Sequence, residues 1–251
     1  MICIFVVIIN KKHLNPFAIT MKILNYYRSL SACILLGPLC FGQYQFEVKE
    51  VSKNYNNAII TIENCFDEQC KDRGTIELYD NKNTKVQTFT SEDLVFYLNK
   101  GQKLVPGKMI QLTHEESPFI IDDFNFDGTE DIAIRNGNKG NYSSASYDVY
   151  VFNSTRMAFV KSEELTEIGS NYFGLFGVDA KRKRLVATGK SGCCMIFTTE
   201  YQVIPNKGLE KVLEREEDMT NEDRVKVITR EKINNKWVTR TKVYPAGQYN
   251  R

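Results

Sequence analysis

The stretch PFIIDDFNFDGTEDIAI, residues 118–134, decides the fold of this chain. Its ends, Pro118-Phe119-Ile120-Ile121 and Ile132-Ala133-Ile134, are short apolar runs without helical periodicity, which reads as two strands. Between them Asp123, Asn125, Asp127, Thr129 and Asp131 stand at alternate positions around the turn-forming Gly128. Calcium takes six to eight oxygen ligands in flexible geometry, and loops of this kind supply them from positions 1, 3 and 5, a backbone carbonyl at 7 and a further group at 9. The expected Ca²⁺ ligands are therefore the side chains of Asp123, Asn125, Asp127 and Asp131 and the carbonyl of Thr129. An EF-hand would place a bidentate Glu at position 12, but Ile134 stands there, so the loop joins strands rather than helices. The alternative is an acidic turn without a metal, since Asp, Asn and Gly favour turns for their own reasons.

Outward from this loop the sequence continues as short β-branched and aromatic runs separated by turn clusters, with almost no helical patterning. Thr75–Tyr79 turns at Asp80–Asn83 into Thr84–Phe89, and Tyr147–Phe152 turns at Asn153–Arg156 into Met157–Val160. Phe176–Asp179 is followed by Arg184–Thr188, and Glu200–Ile204 turns at Pro205–Gly208 into Leu209–Val212. The last pair is Val227–Arg230, turning near Asn234-Asn235 into Lys236–Arg240. The predicted class is all-β, a propeller-like meander of antiparallel hairpins with a calcium-binding loop. No fixed sequence period accompanies it.

Residues 1–42 stand apart. They hold Lys11, Lys12, Lys22 and Arg28, no acidic residue, and the apolar run Ala32–Leu39. Met21-Lys22 opens a charged segment, and Cys40-Phe41-Gly42 offers small residues for cleavage before Gln43, so 1–42 is expected to be a leader with its true start at Met21. A lipid anchor at Cys40 is disfavoured by the bulky Leu39 before it. The expectation is a single β domain over 43–251, periplasmic or secreted, without a membrane span. The chain carries 33 Lys and Arg against 31 Asp and Glu; with the four leader cations removed the remainder is slightly acidic, which excludes a basic field for nucleic acid. Cys65, Cys70, Cys193 and Cys194 survive cleavage. In an oxidising compartment they should form disulfides, a local Cys65–Cys70 bridge being one plausible pairing among three connectivities.

Catalytic signatures are scarce. His13 lies in the leader and His114 is the other histidine; no G-x-S-x-G, H-E-x-x-H, phosphate loop or dinucleotide fingerprint is present. The acidic runs Glu163-Glu164 and Glu216-Glu217-Asp218 read as solvated turns or strand ends. More informative is the long polar stretch Asn136–Ser146 before the strand at Tyr147. Its glycines permit close backbone approach, its serines and asparagines supply adaptable hydrogen bonds, and Tyr142 is a rigid amphipathic anchor. A bound Ca²⁺ would stiffen one root of this loop and reduce the entropy lost on docking.

The run from Asp122 to Phe152, with the calcium loop, a short strand, a Gly/Asn/Ser/Tyr loop and Ser146-Tyr147-Asp148-Val149-Tyr150, resembles immunity proteins of xanthomonad type IV secretion effectors. These are similar in fold to periplasmic inhibitors of invertebrate-type lysozyme. Ser191-Gly192-Cys193-Cys194 and Tyr201-Gln202-Val203 fit the same group more weakly. The resemblance implies a propeller-like, calcium-binding protein, not an enzyme, that blocks a peptidoglycan-cleaving muramidase by inserting a loop into its cleft. The inhibitory loop would comprise Lys139, Gly140, Asn141, Tyr142, Ser143, Ser144 and Ser146. The Ser-Gly-x-x-Tyr arrangement of related inhibitors is not reproduced. A calcium-dependent adhesion or glycan-binding module, with Tyr142, Tyr147 and Tyr150 stacking on sugars, is the alternative.

Overall fold

A computed structural model describes residues 43–205 and 207–249. These fall within one compact unit, Gly42–Arg251. Residues 1–42, the expected leader, lie outside the described residues, as do residues 206, 250 and 251.

Among the described residues sixteen strands form three sheets, and one α-helix accompanies them. The first sheet has six strands: β1 (Tyr44–Lys49), β2 (Tyr55–Ile62), β3 (Cys65–Phe66), β4 (Gln69–Asp80), β5 (Lys85–Tyr97) and β6 (Met109–Leu112). Its pairings are antiparallel except β1 with β6, which run parallel. The second sheet is a meander of β7 (Phe119–Asp122), β8 (Asp131–Arg135), β9 (Tyr147–Asn153) and β10 (Ala158–Lys161). The third is a six-stranded meander of β11 (Gly177–Asp179), β12 (Arg184–Ser191), β13 (Met195–Ile204), β14 (Gly208–Asn221), β15 (Arg224–Ile233) and β16 (Lys236–Pro245). All five expected hairpins are present, and the mostly antiparallel β class holds. Equal propeller blades are not shown, because the sheets carry six, four and six strands.

The four-stranded sheet is the middle layer, and β8 explains why. Its run Asp131-Ile132-Ala133-Ile134 is buried throughout, which requires cover on both faces. Ile132 and Ile134 join a core with Phe46, Val48, Ile60, Ile76 and Leu94 of the first sheet. Ala133 on the opposite face joins Val149, Leu165, Ile168, Phe176 and Leu185 in a second core. Alternation along one strand thus feeds two cores. In the first, Phe46 meets Phe96 edge to face at 5.1 Å, and Phe159 packs against Phe89 and Phe152.

The helix, α1 (Glu163–Asn171), corrects the reading of Glu163-Glu164 as turn or strand-end residues. Ser162 caps it, its side chain accepting from the Leu165 N–H, and the two glutamates lie in the first turn where the helix dipole favours negative charge. Leu165, Ile168 and Gly169 form its buried face. A methyl group at Gly169 would sit 3.4 Å from the Tyr147 carbonyl, so a small residue lets α1 lie close on β9. Both expected and unassigned cysteines are bridged locally, Cys65 to Cys70 across the β3–β4 turn and Cys193 to Cys194 within the β12–β13 turn.

Candidate functional site

The acidic loop connects β7 to β8. Asp123 accepts from the N–H groups of Asp127 (3.1 Å) and Gly128 (2.9 Å), Asn125 Oδ1 accepts from the same Asp127 N–H (2.9 Å), and Asp127 accepts from Thr129 N–H at 2.8 Å. Gly128, at φ +89°, takes the turn conformation that side chains disfavour. Glu130 fastens the loop to the first sheet by accepting from Ser52 Oγ (2.9 Å) and Asn54 Nδ2 (2.8 Å). Asp131 behaves differently from its neighbours. It is fully buried and accepts from the N–H groups of Phe124 (3.0 Å), Asn125 (3.3 Å) and Phe152 (2.9 Å).

These environments set the charges. Burial pushes the Asp131 carboxyl up to about 7; the Phe152 N–H opposes this, the Asp127 carboxylate adds to it, the Phe124 N–H opposes it and Asp123 adds to it. Burial raises Asp127 as well, but hydrogen bonds from Thr129 and Asn125 outweigh it and hold that carboxyl below its ordinary value. Among the described residues, no three His, Cys, Asp or Glu side chains converge closely enough to hold a metal. The oxygen set that suits a hard cation is the two carboxylates Asp123 and Asp127, the amide oxygen of Asn125 and the Thr129 carbonyl. Asp131 is directed instead to backbone N–H groups, where a nearby dication would favour its ionised form.

The polar loop leaves the other end of β8. Its base is closed by Asn136 N–H to the Ser146 carbonyl (2.9 Å) and Ser146 N–H to the Gly137 carbonyl (3.0 Å), while the Lys139 N–H reaches Ser146 Oγ at 3.1 Å. Arg135 braces the inside, donating from Nε to the Gly137 carbonyl (2.9 Å) and from Nη2 to Asn138 Oδ1. One side is tied to the end of α1: the Tyr172 carbonyl accepts from Asn141 N–H (2.8 Å) and Ser144 Oγ (3.1 Å). The other side is tied to β12 and the turn after it, with Lys190 N–H donating to Asn141 Oδ1 (3.2 Å) and Gly192 N–H to the Tyr142 hydroxyl (2.5 Å).

The loop is therefore a fastened knot rather than a free finger. Of the seven residues expected to make contacts, Ser146 and Gly140 are buried, and Asn141 and Ser144 direct side-chain oxygens to internal partners. Lys139, Tyr142 and Ser143 face outward. Tyr142 is 56 % exposed, and it and Ser143 both adopt left-handed backbone conformations (φ 56° and 58°), which places the ring at the apex of the turn. Lys190 Nζ lies 4.7 Å from the Tyr142 ring centre and 5.8 Å from that of Phe173, itself 51 % exposed.

Lys190 and Phe173 carry no mark in the sequence as site residues, and the Gly192-Cys193-Cys194 turn enters there only through its weaker fit to the resembled family. They lie between Phe173 and Cys194, well downstream, and no local pattern marks their convergence on Tyr142. The three-tyrosine sugar platform does not assemble as expected: Tyr150 packs edge to face on Phe89 at 5.1 Å, and Tyr147 is half-buried beneath Arg135. His114 is exposed, and the bridged Cys193 and Cys194 offer no free thiol.

The chain is thus a mostly β protein of largely antiparallel sheets whose Asn136–Ser146 loop is braced by a helix end and a disulfide-bearing turn. By structure it is similar to a Xanthomonas protein described as related to the type IV secretion system, at 20 % identity and a TM-score of 0.58, covering 77 % of this chain and 92 % of that one. That likeness shows a shared fold. No family model matches the chain, and no curated protein matches it by sequence. Among the described residues no helix is long and apolar enough to cross a membrane.

Proposed function

We propose that the chain is an exported, calcium-binding, immunity-type protein that inhibits a lysozyme-like, peptidoglycan-cleaving hydrolase and performs no chemistry of its own. The observation that carries this reading is the exposed Tyr142 on a loop tied down on both flanks. An anchor held in its bound conformation loses little entropy on docking. A muramidase cleft contains one protonated and one ionised carboxyl group. Against such a pair the Ser143 hydroxyl would donate a hydrogen bond, and Lys190 and Lys139 would supply charge-assisted contacts. The Tyr142 hydroxyl is already engaged by Gly192, so its ring edge and face, rather than its O–H, would fill the cleft.

The Asp123–Thr129 oxygens would hold the calcium, whose contribution is charge neutralisation within the loop. The four-stranded sheet β7–β10 would be the blade-like unit of a propeller-like architecture. The secretion-system relation of the structural neighbour is compatible with export and with rivalry between cells. Titration of the protein into muramidase digestion of cell walls tests the proposal. Saturable loss of turnover at near-stoichiometric protein supports it; undiminished digestion by every lysozyme class assayed, together with release of wall fragments by the protein itself, rejects it.

A further inference from the structure

The strand that ends the third sheet leaves a long edge open. Among the described residues nothing pairs with β16 beyond β15. Asn234 and Asn235, at φ 50° and 62°, form the two-residue turn between these strands, with Ile233 opposite Lys236. In such a hairpin the pair flanking the turn exchanges both ladder hydrogen bonds, and alternate pairs follow suit. Lys236, Val238, Arg240, Lys242 and Tyr244 therefore direct their backbone groups to β15. The N–H and C=O groups of Trp237, Thr239, Thr241 and Val243 point outward, a template for another strand. Residues 246–249 leave this edge, since Tyr249 folds onto the face of the sheet, against Tyr244 and Arg215.

The charge on this hairpin is one-sided. Arg224, Lys226, Arg230, Lys232, Lys236, Arg240 and Lys242 face a single acid, Glu231. Arg230, Lys232 and Arg240 have carboxylate partners in Glu214, Glu210 and Glu231. Arg224, Lys226, Lys236 and Lys242 form no ion pair among the described residues. Trp237 and Val243 are 47 % and 56 % exposed, adding apolar surface beside the open ladder.

A second copy of the chain is a poor occupant. A two-fold dimer would pair β16 with itself antiparallel, and outward residues must oppose outward residues, so the axis passes through a residue rather than between two. Centred on Val238, Thr239, Arg240, Thr241 or Lys242, the ladder sets Lys236 against Arg240, Lys236 against Lys242, Arg240 against itself, Arg240 against Lys242, or Lys242 against itself. Every extensive register opposes two cations, which destabilises a ladder.

We infer that the β16 edge receives an extended acidic segment of a partner protein by strand addition. Run antiparallel, that segment would carry acids opposite Lys242, Arg240 and Lys236, at its positions 1, 3 and 7, with β-branched residues between. This site is separate from the Tyr142 loop and does not depend on the inhibitor reading.

The acetylated, amidated peptide Glu-Thr-Glu-Thr-Val-Val-Glu is the probe, added to the full chain at up to about 1 mM. Amide hydrogen exchange is expected to slow roughly tenfold at Trp237, Thr239, Thr241 and Val243. Thr241→Pro removes an outward N–H without a β15 ladder bond, so the fold should survive while protection is lost. Lys236→Glu with Lys242→Glu should abolish protection as well. Equal binding of the peptide N-methylated on its ladder edge, tighter binding of a heparin oligosaccharide without slowed exchange, protection from self-association in the absence of peptide, or no protection at the highest concentration each overturn the inference.

Discussion

Asp131 makes stability depend on pH in a direction that calcium should oppose. Without a cation its folded-state carboxyl titrates at about 7, well above the ordinary value of 3.8. Between those values the native protein keeps a proton that the unfolded chain releases, so the contribution of this group to stability is greatest at low pH and declines as pH rises towards 7. The slope for one such group is about 1.4 kcal/mol per pH unit, or roughly 2–3 kcal/mol between pH 5 and pH 7. For a domain of this size that corresponds to a fall in melting temperature of roughly 5–10 °C.

Burial is the main cause of the shift and a dication among Asp123, Asn125 and Asp127 leaves it in place, but the ion opposes it by replacing the repulsion from Asp127 and Asp123 with a field that favours the ionised Asp131. Calcium at a hundred times its dissociation constant would add about 2.7 kcal/mol where the ligands are ionised, and less where protons compete. The assay is thermal unfolding at pH 5, 6 and 7 with a chelator and with excess calcium. The expected result is a gap between the two series that widens with pH. A constant gap would exclude Asp131 from the linkage. No gap at any pH would show that residues 123–131 are only an acidic turn.

Three substitutions separate the tip of the polar loop from its support. Tyr142→Ala should weaken inhibition of a confirmed target by roughly 2 kcal/mol or more, the scale of an interface hot spot, with melting temperature little changed. Tyr142→Phe keeps the ring and loses the hydroxyl contacts to Gly192, so inhibition curves should shift by no more than about 1.5 kcal/mol. Gly140→Ala would set a methyl group 2.7 Å from the Tyr172 carbonyl and displace the loop from α1, costing about 1–3 kcal/mol of stability by denaturant unfolding and weakening inhibition although no contact residue has changed.

The hairpins were legible because their signals are local. Asp80 accepts from the Lys82 and Thr84 N–H groups and Asn83 turns at φ 57°, which is the chemistry that Asp-Asn-Lys-Asn advertises. The helix escaped notice because nine residues ending in Gly-Ser-Asn show little more than two turns of pattern, and its N-terminal glutamates look like any solvated acidic run. The parallel β1–β6 pairing spans more than sixty residues and leaves no local trace. In the site, Asp123 to Asp131 could be found but not the inward turn of Asp131, since alternate spacing fixes where a side chain starts and burial decides where it points. Lys190 was invisible for the same reason as β6: its partnership with Tyr142 exists only after β12 has been laid beside the loop.

The two loops stand at opposite ends of β8, which changes how one would influence the other. Asp131 opens the strand and Arg135 closes it, a separation of about 13 Å at the rise of a strand. A calcium ion therefore does not touch the root of the polar loop; any effect must pass along β8. That strand is already clamped by a core on each face and by pairing to both β7 and β9. Its stiffness comes from packing, and the Tyr142 end has its own ties to Tyr172 and Gly192. Chelation should then lower the melting temperature while leaving inhibition constants within about twofold, when measured well below the transition and against a target that needs no calcium itself. Loss of inhibition in parallel with loss of the ion, in a protein still folded by circular dichroism, would mean that β8 transmits what these contacts say it resists.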